Sequence, residues 1–230
     1  MKIIAAPPTL VAQVHDAIVT EIAQGKLLPG ERVIQEQLAQ GLGVSRQPVQ
    51  QALLLLRREG VLVEAAGRGL IVAPMDPESV RNLYDVRAML EGLAFRRAAE
   101  VNAEPARRLG PALLRKGRAA VTDGSLATMV AADLEFHQFV HELSRNPLIA
   151  TAMQAQWSYT QRVMGETLMR DLSPEEVWTE HVAMLEAVMD GDGDSAERLA
   201  REHVVRAATA AVSRLRGKQA VDRQASCAAY

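Results

Sequence analysis

The sequence predicts a mainly α-helical chain in two parts, a winged helix-turn-helix over residues 9–75 and an all-helical region over residues 78–216. Three observations predict it. Gly43 to Val49 packs a glycine turn, a helix start and a basic residue into one short stretch, ahead of a leucine-rich helical run that stops at Gly60. Two short apolar runs, Val61–Val63 and Leu70–Val72, flank a flexible tip, Ala65-Ala66-Gly67-Arg68-Gly69. Beyond Pro77 the apolar residues recur at the helical period, and two capping-box patterns punctuate the run.

Taken in order, Thr9 caps a helix whose apolar face carries Leu10, Val14, Ala17, Ile18 and Ile22, and Gly25 ends it. The turn Lys26–Glu31 leads to a short helix, roughly Ile34 to Gly41, burying Leu38 and Ala39. Ser45 caps the third helix, and Pro48 falls in its first turn, where a missing N–H costs little. Val49, Ala52, Leu53 and Leu56 form its apolar stripe. Pro74–Pro77 reads as a linker. Helices are then expected from Asp76 to about Glu100, and over 105–121, 125–144 and 147–164. Two more open at Ser173-Pro174-Glu175-Glu176 and at Asp194-Ser195-Ala196-Glu197 and run to about Asp190 and Arg216. Residues 217–230 show no pattern and are expected to be a disordered tail.

Composition narrows the class. With 230 residues, 48% hydrophobic and 23% charged, the chain can bury a core without disulfide staples. Its only cysteine, Cys227, excludes an intramolecular disulfide. No apolar run reaches membrane-spanning length, and the start lacks the features of a signal peptide, so a cytoplasmic protein is expected. The net charge of −2 argues against a generally basic nucleic-acid coat. Residues 1–75 carry +1 and the remainder −3, so a DNA-binding reading rests on where particular bases sit.

Those bases sit well. The first residues of a recognition helix face base edges, and here they are Ser45, Arg46, Gln47 and Gln50. Arginine takes both acceptors of a guanine and glutamine pairs with adenine. Ser45 and the helix N-terminal amides can hold a phosphate, and Arg68 at the wing tip can reach a groove or a phosphate.

The second part carries a different constellation. Asp133 and His137 stand four apart on one helix, hence on one face. His181 and His203 each lie eleven residues from a turn centred near Asp192, so an antiparallel hairpin brings them to one level. One carboxylate and three imidazoles suit a divalent ion, zinc first, with nickel, manganese or iron as alternatives. The competing reading is a set of core histidines bonded to backbone or carboxylate. His141 extends the Asp133/His137 column as a substitute ligand, and His15 reads as a surface or packing residue. Arg87 shares an apolar face with Leu83, Leu90 and Ala94 and needs an anion. That anion is either Glu91 or a ligand carboxylate gripped bidentately.

The first part resembles the DNA-binding domain of the GntR family of bacterial transcription regulators. The resemblance rests on Pro29-Gly30-Glu31-Arg32, Leu38-Ala39, Gly43-Val44-Ser45-Arg46, Pro48-Val49, Ala52-Leu53, Glu59-Gly60 and Gly67-Arg68-Gly69. It adds Arg32, Pro48 and Gly67 to the expected DNA-binding set. Where that family usually has Arg-Glu, this chain has Gln50-Gln51. The second part resembles the FCD effector domain of the FadR-type subfamily through Asp133-Leu134-Glu135-Phe136-His137, Asn146-Pro147, Glu180-His181, Gly191-Asp192 and Glu202-His203. This resemblance implies a bundle of six or seven helices, a homodimer, and a metal held by Asp133, His137, His181 and His203. It also implies an effector pocket beside that metal, with Arg87 facing it.

The combined expectation is a transcription regulator, repression being the family's commoner mode. It would bind double-stranded operator DNA, and a small carboxylate effector would control it from beside the metal. Two alternatives are a regulator for which the ion itself is the signal, and a metalloenzyme fused to a DNA-binding module. The sequence offers no second acid/base pair dedicated to catalysis, so a non-enzyme is expected.

Overall fold

A computed structural model describes residues 8–67, 69–154, 156–167 and 173–228. It divides the chain into two compact units, Met1–Pro74 with Ser158–Arg162, and Met75–Trp157 with Val163–Tyr230.

In the first unit Thr9 Oγ1 accepts the Ala12 amide at 3.2 Å and starts helix α1 (Leu10–Ala23). Helix α2 (Gln35–Leu42) ends at Gly43, whose φ of 65° is the left-handed conformation glycine adopts without strain. That tight turn delivers helix α3 (Arg46–Arg58). Strands β1 (Leu62–Ala65) and β2 (Gly69–Val72) pair antiparallel, Leu62 opposite Val72 and Ala65 opposite Gly69. An isolated bridge from Arg32 to Ile71 lays the Pro29–Arg32 turn along β2. The core joins Val14, Ile18 and Ile22 of α1 to Val49, Ala52, Leu53 and Leu56 of α3 and to Leu62 and Val72 of the wing. Each such valine, leucine or isoleucine contributes about 1.5–3 kcal/mol on full burial. The three-one-three spacing of Val49, Ala52, Leu53 and Leu56 therefore fixes which face of α3 turns inward and which is left to solvent. Arg162 completes this unit, its buried guanidinium donating to the Val61 and Ala73 carbonyls.

The second unit begins with helix α4 (Pro77–Asp123), opened by Asp76, whose carboxylate accepts the Ser79 amide at 2.8 Å. Helices α5 (Leu126–Leu143), α6 (Pro147–Gln154), α7 (Trp157–Thr167, whose Ser158–Arg162 belong to the first unit), α8 (Pro174–Asp190) and α9 (Gly193–Ala228) follow in the chain. Phe95, Phe136, Trp178, Met184, Leu185 and Val188 fill the core, with Ala98, Ala132 and Ala200 letting the helices approach. Gly117 is part of that fit, since a Cβ there would stand 1.5 Å from the Trp178 ring.

Several boundaries differ from expectation. The two helices expected on either side of residues 101–104 are one kinked helix, α4. Asn102 leaves the helical region at φ −143°, because Pro105 offers no N–H to the turn before it, and its side chain donates to the Leu143 carbonyl. The single helix expected over 147–164 is instead α6 and α7, a break that no glycine or proline marks. The last helix is capped by Asp192, whose carboxylate accepts the Ser195 amide at 3.0 Å, so Asp194 lies inside its first turn. That helix continues to Ala228 instead of ending near Arg216, which corrects the expected tail over 217–228. After Gly217 most residues, Lys218, Gln219, Ala220, Arg223, Gln224 and Ala225 among them, are good helix formers, and neither glycine nor proline interrupts the run to Ala228.

Candidate metal centre and nucleic-acid interface

At the start of α3, Arg46, Gln47 and Gln50 are exposed, as are Ser45 before it, Arg32 beside β2 and Gly67 in the wing turn. Ser45 occupies the cap position in extended conformation without making a side-chain capping bond, which leaves its hydroxyl for an outside acceptor. Arg46 pairs with Glu36, both side chains about two-thirds exposed (67% and 70%). Such surface pairs contribute little and exchange readily for another anion. Gln35 donates to the Arg46 carbonyl at 2.8 Å and ties α2 to the end of α3. Pro48 is buried beside Val49 in the first turn of α3, unlike the exposed residues around it. Arg68 lies outside the described residues.

In the second unit α5 presents Asp133 and His137 one turn apart, α8 presents His181, and α9 presents His203. Their candidate ligand atoms all lie within 4.8 Å of one another, and all four residues are buried. His181 Nε2 stands 3.3 Å from Asp133 Oδ1 and 3.3 Å from His203 Nε2, and His137 Nε2 is 3.8 Å from Asp133 Oδ2. Burial first, then the nearby His203, His137 and Arg87, hold His181 well below the ordinary imidazole range. Burial also lowers His203, against the pull of Glu180. Both rings are therefore neutral at pH 7, the form that ligates. His137 Nε2, which faces Asp133, has no hydrogen-bond partner among the described residues. An orphaned buried nitrogen beside a carboxylate and two further imidazoles fits a divalent ion better than it fits a satisfied core.

Beside this cluster lies a second group, Glu91, His137 and His141. Glu91 Oε2 is 3.0 Å from His141 Nε2 and 3.0 Å from His137 Nδ1. His141 thus bonds a carboxylate on α4 instead of joining the four. Burial works against the Glu91 charge, but His137 and His141 outweigh it and hold the carboxyl well below its usual range. Arg87 is 3% exposed, with its Nε 3.5 Å from Glu91 Oε1 and its Cζ 5.3 Å and 5.9 Å from the Tyr84 and Trp157 rings. Glu91 is therefore its internal counter-ion. The contact is long, and no hydrogen bond satisfies Arg87 Nε or Glu91 Oε1 among the described residues.

Sequence reasoning overlooked two carboxylates, Glu180 beside His203 and Glu91 as the residue shared by His137 and His141. Glu91 carried a signal in its spacing from Arg87, and Glu180 in its position next to His181. His15 is neither a bare surface nor a packing residue. Its ring meets Glu59 at 3.0 Å and Asp16 at 3.0 Å, and those two raise its pKa against the effect of burial.

Comparison with known proteins follows the same division. Residues 10–72 match the family described as "Bacterial regulatory proteins, gntR family", and residues 82–206 match the "FCD domain". One relative is the "Probable D-xylose utilization operon transcriptional repressor" of Paenarthrobacter nicotinovorans. It is 28% identical over 199 residues, 85% of this chain and 86% of that protein. An HTH-type transcriptional regulator from an unstable DNA locus of Streptomyces ambofaciens is 30% identical over 180 residues, 78% of this chain and 75% of that protein. Among solved structures, E. coli McbR/YncC shares the fold with a TM-score of 0.76 at 21% identity, over 93% of this chain and all of that one (100%).

Proposed function

The chain belongs to the GntR family of bacterial transcription regulators, with an FCD domain behind its DNA-binding domain, and from that premise we propose that an organic acid bound beside a metal controls its grip on operator DNA. Regulators of this family bind operator DNA. The helix-turn-helix over residues 9–75 does so here through the exposed end of α3, with Arg46, Gln47 and Gln50 reading bases. Ser45, Arg32 and the Gly67–Arg68 wing meet the backbone. The helical domain over residues 78–216 holds a divalent ion, zinc in the first instance, with Asp133, His137, His181 and His203. The ion supplies an electrophilic point for a ligand carboxylate. Arg87 grips the same ligand and gives up part of its long contact with Glu91 to do so. The observation that carries this reading is the convergence of four buried ligand atoms within 4.8 Å, next to an arginine whose internal pairing is incomplete.

A homodimer presents two recognition helices to paired half-sites. Val86, Met89 and Leu93, 50%, 55% and 40% exposed at helical spacing on α4, offer an apolar face for a second copy. Repression is the mode we assign, in line with the relative named a repressor. Among the described residues no helix is long and apolar enough to cross a membrane.

The test is a gel-shift series with zinc-loaded full chain, its selected operator and a panel of small organic acids. One acid should weaken operator binding about 5–150-fold, the usual span of allosteric coupling, and Arg87→Met should abolish that response. Operator affinity that ignores every acid but follows free zinc would instead make the ion the signal.

A further inference from the structure

The three imidazoles of the centre are held from behind in three different ways. His181 Nδ1 has no hydrogen-bond partner among the described residues, and its ring is fixed by packing. It stacks on Phe136 at 4.3 Å and 17° and meets Trp178 edge-on at 4.7 Å. His137 Nδ1 is 3.0 Å from Glu91 Oε2 but out of line for a hydrogen bond, and that oxygen already serves His141. His203 alone has a fully formed carboxylate bond, from Nδ1 to Glu180 Oε2 at 2.7 Å. Glu180's other oxygen pairs with Arg206 on α9.

Two glutamates directly precede histidines of the centre, Glu180 before His181 and Glu202 before His203. Only the first reaches an imidazole. Glu202 pairs with Arg198 on its own helix, 3.1 Å away and largely exposed. Glu180 sits next in sequence to one ligand on α8 and bonds another across the hairpin on α9. The dipeptide Glu180-His181 therefore touches the centre twice and sets α8 against α9 at the level where the ligand nitrogens must coincide.

The geometry points to Glu180, clamped by Arg206, as a positioning residue for the metal centre. Its carboxylate keeps the His203 proton on Nδ1, so the Nε2 lone pair faces Asp133 and His181. A carboxylate behind a ligating histidine fixes its tautomer and raises its basicity, and losing one typically costs 10–100-fold in metal affinity. Arg206 spares Glu180 from swinging to solvent. This inference rests on the reading that Asp133, His137, His181 and His203 hold a divalent ion.

The experiment is competition for zinc between metal-free full-length chain and a chromophoric chelator. Wild type, E180Q, E180A, R206M and E202Q are compared, with thermal melts of each metal-free protein alongside. E180Q should weaken zinc binding by about 10–100-fold, E180A by at least as much and R206M by less, with E202Q at the wild-type value. A purely structural role would lower the metal-free Tm of E180Q and leave zinc affinity alone, and that result overturns the inference. If E180Q does not fold, R206M decides, because its weakening of Glu180's hold must still appear in zinc affinity. Wild type that takes up no zinc overturns the metal reading itself, a result distinct from wild type and E180Q binding equally.

Discussion

Arg46 and His181 stand at opposite extremes of this molecule. Arg46 opens a helix, 67% of its side chain is in solvent, and its ion-pair partner Glu36 is as exposed as itself. His181 has no exposed surface, packs between Phe136 and Trp178, and lies among candidate ligands from two other helices. The difference teaches where function is stored in each part. At the start of α3 the scaffold lies beneath the exposed polar residues, so they can change without disturbing it. In the helical domain the candidate ligand residues are buried as part of the scaffold. A substitution there should be read in stability as well as in binding.

The largest expected departure follows from removing His181. Zinc at a thousandfold excess over its Kd adds about 4 kcal/mol to the stability of a chain that binds it only when folded. Thermal melts of wild type should show that rise and its loss in chelator, whereas His181→Ala should melt at one temperature with or without zinc. A zinc-dependent rise that survives in the variant would place the ion elsewhere. Next comes Gly117→Ala, which drives a methyl into the Trp178 ring. Overpacking of this kind costs about 1–3 kcal/mol. Because Trp178 also abuts His181, zinc affinity should fall with Tm. A lower Tm with unchanged zinc affinity would uncouple the scaffold from the centre.

The opposite pole gives the contrasting result. Arg46→Ala should cost about 1–3 kcal/mol of operator binding and relax base preference, with stability within about 0.5 kcal/mol of wild type, as for other surface changes. Equal losses on operator and random DNA would make Arg46 a phosphate contact. The smallest effect belongs to His15, between Glu59 and Asp16. Its folded pKa is raised from the ordinary 6.5, so its stabilisation is complete below that value and fades as pH rises through the folded pKa. Melts across pH 6 to 8 should show that small decline in wild type and a flatter profile in His15→Gln. Identical profiles would contradict the charged contact.

The same contrast explains what could be read from the chain. The end of α3 is local. A glycine, a cap, a basic residue and an apolar stripe sit within one stretch, and each carries its own signal. The candidate ligands span Asp133 to His203, yet their convergence was legible because helical period and hairpin symmetry are also local rules. What escaped was tertiary. Pro48 looks like a contact by position, and only the packing of α3 against the core shows it buried. Glu91 reads only as a partner for Arg87 until α5 is laid beside it, and Glu180 looks like an ordinary helix glutamate until α9 is. The break between α6 and α7 carries no proline or glycine. Asp192 and Asp194 offer two caps two residues apart, and backbone geometry chooses the first. The helix past Arg216 was lost because a segment without an apolar stripe reads as disorder, although its propensities favour a helix.

The most direct measurement is the metal content of full-length chain, stripped and reloaded with zinc, beside Asp133→Asn and His181→Ala treated alike. One tightly held zinc per wild-type chain, absent from both variants, is the predicted result. A wild type that retains none, or variants that retain as much, would contradict the account.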